Sequence, residues 1–318
     1  MKYEKLVDEE NYYRRVDKFL RKNFSDIKLS SIYSLIRKGD IKVNGKKIKT
    51  PDHELFIDDK VTVFIVSKEK KDAISRNFEG KRKLTPTEMD IEVIYENDNF
   101  MAINKKTGVS IHPGKGERNR ATLIEGLMYY GEKKGFEPFL VHRLDRNTSG
   151  VLIVAKNRNY SRILSEIISG RNIKKEYICM VFGKIEKNRV IDIPLDEKNA
   201  RTVIEKVDVF GYMEYEFSLC GVYISTGRKH QIRRHLNLVE HPILGDERYG
   251  MRELNRILSR NGLKRPFLHC SRMSFYDEKA NENIVISAPM AEDLRSFVEK
   301  TKKPVGGWYG KEIVSEKY

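Results

Sequence analysis

Between about residues 67 and 86 the sequence loses its apolar rhythm. Lys68 to Lys71 lead into Asn77-Phe78-Glu79-Gly80-Lys81-Arg82-Lys83, and Pro86 follows shortly after. A stretch so poor in apolar side chains cannot cross a core, so the segments before and after it must each bury their own. This sets the expected organisation: a first unit over residues 1–70, a flexible charged linker over 71–88, a second unit over 89–300 and a tail over 301–318. The 318 residues suffice for one full core and a smaller accessory one.

The first unit reads as two helices followed by a hairpin. Val16, Phe19 and Leu20 form one helical stripe, with Arg14, Arg15, Lys18, Arg21 and Lys22 around it. A second helix is expected from Ser30 or Ser31 as cap, turning Ile32, Leu35 and Ile36 inward and ending at Lys38-Gly39. Ile41-Lys42-Val43 and Lys46-Lys47-Ile48 then flank Asn44-Gly45, the strongest short-range hairpin signal. The run Val61-Thr62-Val63-Phe64-Ile65-Val66 closes the unit as a strand. Over residues 1–80 there are 19 basic residues against 14 acids, a modest excess. Its weight lies in clustering: Arg14, Arg15, Lys18, Arg21, Arg37 and Lys38 gather near helix ends, where they can follow a phosphate backbone.

The second unit is organised around residues 139–156. Two strand-length apolar runs, Phe139-Leu140-Val141 and Val151-Leu152-Ile153-Val154-Ala155, enclose the polar segment His142-Arg143-Leu144-Asp145-Arg146-Asn147-Thr148-Ser149-Gly150. Its one acid, Asp145, stands between Arg143 and Arg146, and a carboxylate beside fixed cations can be aimed. Further along, Ile173 to Gly183 is dense enough in apolar residues for a central strand, on which Tyr177 shares a face with Cys179 and Val181. A strand with Tyr215, Phe217 and Leu219 on one face feeds Thr226-Gly227-Arg228-Lys229-His230-Gln231-Ile232-Arg233-Arg234-His235-Leu236. There Ile232, Leu236 and Val239 take one helical face and leave Arg233 to point elsewhere. Ile91 to Lys105 reads as strand, turn, strand; Ile284-Val285-Ile286 as a last strand; and Met290, Leu294, Phe297 and Val298 as a last helix.

Several function classes are excluded. Cys179, Cys220 and Cys270 are odd in number and scattered through apolar patterns, so buried reduced thiols are expected and no disulfide framework. His230 and His235 lie five apart, not on one helical face, and no His-Glu-x-x-His pattern occurs, so no metal is expected. His112-Pro113-Gly114-Lys115-Gly116 is Gly-rich and basic but lacks the spacing and closing Lys-Ser/Thr of a P-loop. No apolar run reaches the roughly 20 residues a bilayer demands, and Met1-Lys2-Tyr3-Glu4 opens no signal segment. A cytoplasmic monomer is the expectation. The net charge of +15 favours a polyanionic partner.

The string His142-Arg143-Leu144-Asp145 followed by Thr148-Ser149-Gly150 resembles the catalytic signature of the RluA-type pseudouridine synthases, which include ribosomal large-subunit enzymes. Lys175-Glu176-Tyr177 is similar to that family's second motif, Thr226 to His235 matches its Thr-Gly-Arg-x-His-Gln-Ile-Arg-x-His motif at every fixed position, and Arg265 to Phe275 resembles its last. Gly245-Asp246-Glu247-Arg248-Tyr249-Gly250 resembles a further landmark, read as a rigid turn near the pocket. Arg15 to Leu20 and Ile36 to Gly45 are similar to the S4 RNA-binding domain that many of these enzymes carry. Lys106, where proline is common, and Met273, where leucine is, are minor departures.

The resemblance implies an α+β architecture: a small S4-like αα-β-hairpin domain, then a mixed, mainly antiparallel sheet with flanking helices. It implies Asp145 as the catalytic carboxylate, either nucleophile toward the ribose C1′ or base at C2′. Arg233 is then its ion-pair partner, Tyr177 the ring that stacks on the target base and Leu268 part of the apolar floor. Arg143 becomes the side chain that fills the place of a flipped base, with His142 and Thr148 as further substrate contacts. The implied reaction isomerises uridine to pseudouridine with no cofactor, on large-subunit rRNA. Action on tRNA or several RNAs, and a non-catalytic RNA-binding or assembly factor, are the alternatives.

Overall fold

In a computed structural model, residues 2–8, 13, 15–23, 29–64, 84–113, 120–212 and 215–301 are described. The chain divides into two units, Met1–Lys83 and Leu84–Tyr318. Arg14, residues 65–83 of the expected linker and its flank, and tail residues 302–318 lie outside the described residues.

In the first unit, helices α1 (Val16–Asn23) and α2 (Leu29–Lys38) pack on a four-stranded antiparallel sheet. Its strands are β1 (Lys2–Leu6), β2 (Ile41–Val43), β3 (Lys46–Lys47) and β4 (Lys60–Phe64), in the order β1-β4-β2-β3. Asn44 and Gly45 take φ of 49° and 79°, the left-handed pair a two-residue hairpin needs. Two expectations shift. The second helix already begins at Leu29, so Ser30 and Ser31 sit inside its first turn and not at its cap. Strand β1, which the helix-and-hairpin reading lacks, pairs with β4 from Lys2↔Phe64 to Leu6↔Lys60. Phe19, Leu20, Ile32, Ile36, Ile41, Leu55, Val61 and Val63 form a closed apolar core.

Among the described residues, the second unit is a ten-stranded sheet with five helices against it. Strands β5 (Val93–Glu96), β6 (Phe100–Lys105), β7 (Phe139–Leu140) and β8 (Ser149–Ala155) come first. Then follow β9 (Ile173–Phe182), β10 (Val190–Ile191), β11 (Thr202–Tyr212), β12 (Tyr215–Ile224), β13 (Leu268–Asp277) and β14 (Glu282–Ser287). The spatial order is β10-β11-β12-β9-β13-β8-β6-β5, with β14 on β13 and β7 on β8. Every pairing is antiparallel except β8 with β13. The helices are α3 (Leu123–Lys134), α4 (Arg158–Ser169), α5 (Gln231–Leu238), α6 (Arg252–Arg260) and α7 (Glu292–Thr301).

β8 is buried along its whole length, as expected of a central strand that reads Val-Leu-Ile-Val-Ala. Gly150 is demanded by its place: φ is 110°, and a Cβ there would lie 2.1 Å from the Cys270 carbonyl oxygen of the parallel neighbour. Residues 84–88, read as linker, are instead docked on α3, where the Thr87 N–H donates to the Glu125 carbonyl at 3.1 Å. Helix α6 had no counterpart in the sequence reading. The three cysteines are buried and unbridged. Among the described residues no helix is long and apolar enough to cross a membrane, and no group of His, Cys, Asp and Glu could hold a metal ion.

Candidate active site

The site forms where the one parallel strand pair meets β9. Across three strands Gly150, Cys270 and Tyr177 are register partners, so the loop that feeds β8 arrives beside the Tyr177 ring. Asp145 lies in that loop. Arg233, one turn into α5, donates from Nη1 to Asp145 Oδ2 at 3.0 Å. With its other edge it grips Asp246, Nε to Oδ2 at 2.6 Å and Nη2 to Oδ1 at 2.8 Å. Asp246 is wholly buried, and its Oδ1 also accepts the backbone N–H groups of Arg248 and Tyr249.

One guanidinium therefore spans a buried anchor and a carboxylate that keeps 20% of its side chain exposed. Burial works against the Arg233 charge, but hydrogen bonds to Asp246 and then Asp145 outweigh it and hold the group more basic than usual. The Tyr249 ring lies under the guanidinium, 5.2 Å from its carbon. His230 adds a second neighbour: it sits in the left-handed region at φ 53°, its Nε2 3.7 Å from Asp145 Oδ1 and its Nδ1 3.0 Å from the Tyr249 hydroxyl. Burial depresses the His230 pKa, against the pull of Asp145.

The loop itself is held from beneath by two buried cations that sequence reasoning assigned no such part. Lys105, at the end of β6 and 1% exposed, donates to the carbonyls of Lys106, Arg146 and Thr148 at 3.0, 3.0 and 2.9 Å. Burial, then the nearby Arg265, push its pKa down to about 7 against the attraction of Asp145. Arg265 forks onto Asp293 at 2.6 and 2.8 Å and reaches the Asn147 carbonyl at 3.2 Å and the Ser149 hydroxyl at 3.1 Å. The carbonyls of residues 146, 147 and 148 thus all point at a fixed cation, and the Thr148 N–H closes back on the Asp145 carbonyl at 3.1 Å. A carboxylate on such a turn has few conformations left. The only sequence signal for the two cations is a lysine ending an apolar strand and an arginine before Pro266-Phe267-Leu268, and neither names a carbonyl as its target.

A cavity of about 860 Å³ opens beside the loop. Its wall includes Leu144 and Arg146 on either side of Asp145, the Tyr177 ring, His142, Arg143, Ile224 and Arg228. Tyr177 is 7% exposed, and burial, with Cys270 and Asp145 adding to it, keeps its phenol far from ionising. His142 lines the cavity, yet its Nε2 accepts the Ile153 N–H at 2.8 Å; burial lowers its pKa to about 3, so the ring is neutral and committed to β8. Arg143 is exposed on the wall. Thr148 and Leu268 are both buried and are not among the wall residues. Leu268 pairs with Cys179 across β13 and β9.

In the first unit Lys18, Arg21, Arg37 and Lys38 are exposed. Arg15 is half spent: its guanidinium meets Asp17 at 3.1 and 3.0 Å. Arg14 is outside the described residues.

A carboxylate aimed by a fixed guanidinium, beside an aromatic ring in an open cavity, can act on the sugar of an unstacked nucleotide. Comparison with known proteins agrees: residues 99–238 match the family model described as RNA pseudouridylate synthase. The chain belongs to the RNA pseudouridylate synthase family and is a pseudouridine synthase. It is 32% identical over 306 residues to the ribosomal large subunit pseudouridine synthase C of Vibrio vulnificus (strain CMCP6), covering 93% of this chain and 95% of that one. The protein of the same name in Escherichia coli (strain K12) is 32% identical over 310 residues, covering 91% and 93%. Among solved structures, human RNA pseudouridylate synthase domain containing 1 shares the fold at a TM-score of 0.53 and 22% identity, over 65% of this chain and 87% of that one.

Proposed function

We propose that the protein isomerises uridines of large-subunit ribosomal RNA in the cytoplasm, with Asp145 as its catalytic carboxylate. The observation that carries the reading is the chain of contacts Asp145–Arg233–Asp246, whose first carboxylate lies between the cavity-lining residues Leu144 and Arg146. The large-subunit enzymes to which the chain is similar along nine-tenths of its length support rRNA as substrate.

The reaction breaks the C1′–N1 bond, turns the uracil and rejoins it through C5. It needs a carboxylate fixed at the ribose, a surface on which the detached base rests, and walls that keep it from water. In this reading Asp145 meets the ribose and Arg233 holds its rotamer. Tyr177 stacks on the uracil, a contact worth roughly 1–3 kcal/mol for a base on an aromatic ring. Because the target must leave its helix, Arg143 takes the vacated position in this reading, which its exposure on the cavity wall supports. The first unit, with exposed Lys18, Arg21, Arg37 and Lys38, serves as an S4-like module that follows the phosphate backbone of folded RNA.

The test is Asp145→Asn in a tritium-release assay on a large-subunit rRNA transcript labelled at uridine C5. The expected outcome is release from wild type and none from the variant, whose melting temperature stays within a few degrees. Normal turnover by the variant ends the catalytic assignment. Release from tRNA and none from rRNA reassigns the substrate.

A further inference from the structure

The cavity wall carries one buried cation to which the scheme above gives no task. Lys175 lies on β9 two residues before Tyr177, so the two side chains leave the same face of the strand, and both line the cavity. Lys175 is 5% exposed. Its ammonium makes no hydrogen bond or ion pair with any described residue. Its neighbourhood is shown by Gly227 across the wall, where an added Cβ would stand 3.7 Å from Nζ. The positive charge is felt at His142 and Cys270. The ammonium faces the cavity with little contact to bulk water and no counter-charge among the described residues, and burial accordingly lowers the Lys175 pKa.

The other cations of the wall are different. Arg143, Arg146 and Arg171 are exposed, and Arg228, half-buried, donates from Nε to the Asn199 carbonyl at 3.1 Å. Those four are reached by solvent, as side chains that meet phosphate oxygens must be. Lys175 lies deeper, on the same strand face as the Tyr177 ring, which in the reading above stacks on the base.

The chemistry supplies a transient partner. When C1′–N1 breaks, its electron pair leaves with the uracil, and the negative charge spreads over N1, O2 and O4. The charge disappears as C5 gives an electron pair to C1′; loss of the C5 proton and uptake of one at N1 then complete the product with no net change of charge. Turning the ring about its N3–C6 axis exchanges N1 with C5 and, with them, the C2 and C4 carbonyls. A donor fixed in the wall beside one carbonyl therefore meets the other after the turn. We propose that Lys175 is a further catalytic residue, whose ammonium donates a hydrogen bond to a carbonyl oxygen of the detached uracil and stabilises the anion before and after it rotates. Lys175 keeps its protons throughout; it lends charge and transfers nothing.

The proposal rests on the pseudouridine synthase reading, and its test separates the two. In single-turnover tritium release with saturating enzyme, Lys175→Met is expected to slow the reaction by 10²–10³-fold, the loss typical of one donor to a developing anion. Its RNA dissociation constant, from filter binding, is expected to stay within about threefold of wild type. Its melting temperature should equal or exceed that of wild type, because the unpaired cation is gone, whereas removal of a structural lysine lowers it. An unchanged rate, a loss of RNA affinity as large as the loss of rate, or a lowered melting temperature would each overturn the assignment. Inactive wild type on the same RNA would remove the underlying function instead.

Discussion

The two units bury different things. Residues 2–64 close on Val16, Phe19, Leu20, Ile32, Ile36, Leu55 and their neighbours, and among the described residues only Asp17 and Thr62 are buried polar side chains. Residues 84–301 bury Lys105, Lys175, Arg265, His235, His269, Glu125, Asp246 and Asp277. Buried ions cost more than apolar side chains of the same size, so a fold that only had to be stable would not collect them. Lys105, Arg265 and Asp246 converge, through carbonyls or through Arg233, on the turn that carries Asp145. Apart from Asp17, the small unit keeps its charge outside, where a polyanion can meet it. The large one sets charge inside, where it can aim a side chain.

That contrast can be broken most sharply at Asp246. Asp246→Asn leaves the Arg233 guanidinium without its buried counter-charge, and loss of one partner of such a pair costs about 3–5 kcal/mol. Urea unfolding of the second unit should show this, with activity lost as well. A variant of wild-type stability would mean that the buried pair is not what anchors α5.

Acid should part the two units next. Burial lowers the His269 pKa to about 4 and that of His142 to about 3, while an unfolded histidine titrates near 6.5. Depressed histidines contribute stability that is complete above pH 6.5 and is lost as pH falls, because the unfolded chain then binds protons that the folded one refuses. For His269 alone the loss by pH 4 is about 3 kcal/mol. Hydrogen exchange followed by peptide should show the second unit loosening between pH 6.5 and 4 ahead of residues 2–64, which bury no histidine. Equal loosening of both would refute the distinction.

Smaller effects sharpen it. Lys105→Met removes the donor to three carbonyls and should lower kcat about 10–100-fold with little change in KM, since the turn moves while the cavity wall remains. Smallest is Arg37→Ala with Lys38→Ala in the first unit. Rate constants at saturating RNA should be unchanged, while affinity falls a few-fold and the salt dependence loses about one unit of slope per phosphate contact removed. A fall in the saturated rate would place those residues in the chemistry and not in docking.

What could be read in advance follows the range of each interaction. Asn44-Gly45 was legible because a two-residue hairpin forces a local backbone conformation, and β8 because a fully buried strand must be apolar throughout. The Asp145–Arg233 contact spans 88 positions, yet it was anticipated, because each residue lies inside a recognisable motif. Lys105 was not, since its partners are backbone carbonyls up to 43 positions away, and a carbonyl has no signature in a sequence. Strand β1 escaped for the same reason: Lys2–Leu6 carries weak alternation and becomes a strand only because β4 offers it an edge. Asp246 was read as part of a rigid turn, correct for its backbone contacts but silent on Arg233. Docking of residues 84–88 on α3 depends on Glu125, a buried acid that helical periodicity would have placed outside.

The parallel pairing of β8 with β13 also fixes an order of events during synthesis. The turn bearing Asp145 is translated early, but the strand against which Gly150 rests, and the arginine that caps the turn's carbonyls, emerge only with the last part of the chain. A chain stopped just before them already holds Lys105, Asp145, Arg233 and Asp246, but it lacks the neighbour of Gly150 and the cation on the Asn147 carbonyl, so the turn receives its last supports from the most distant part of the sequence.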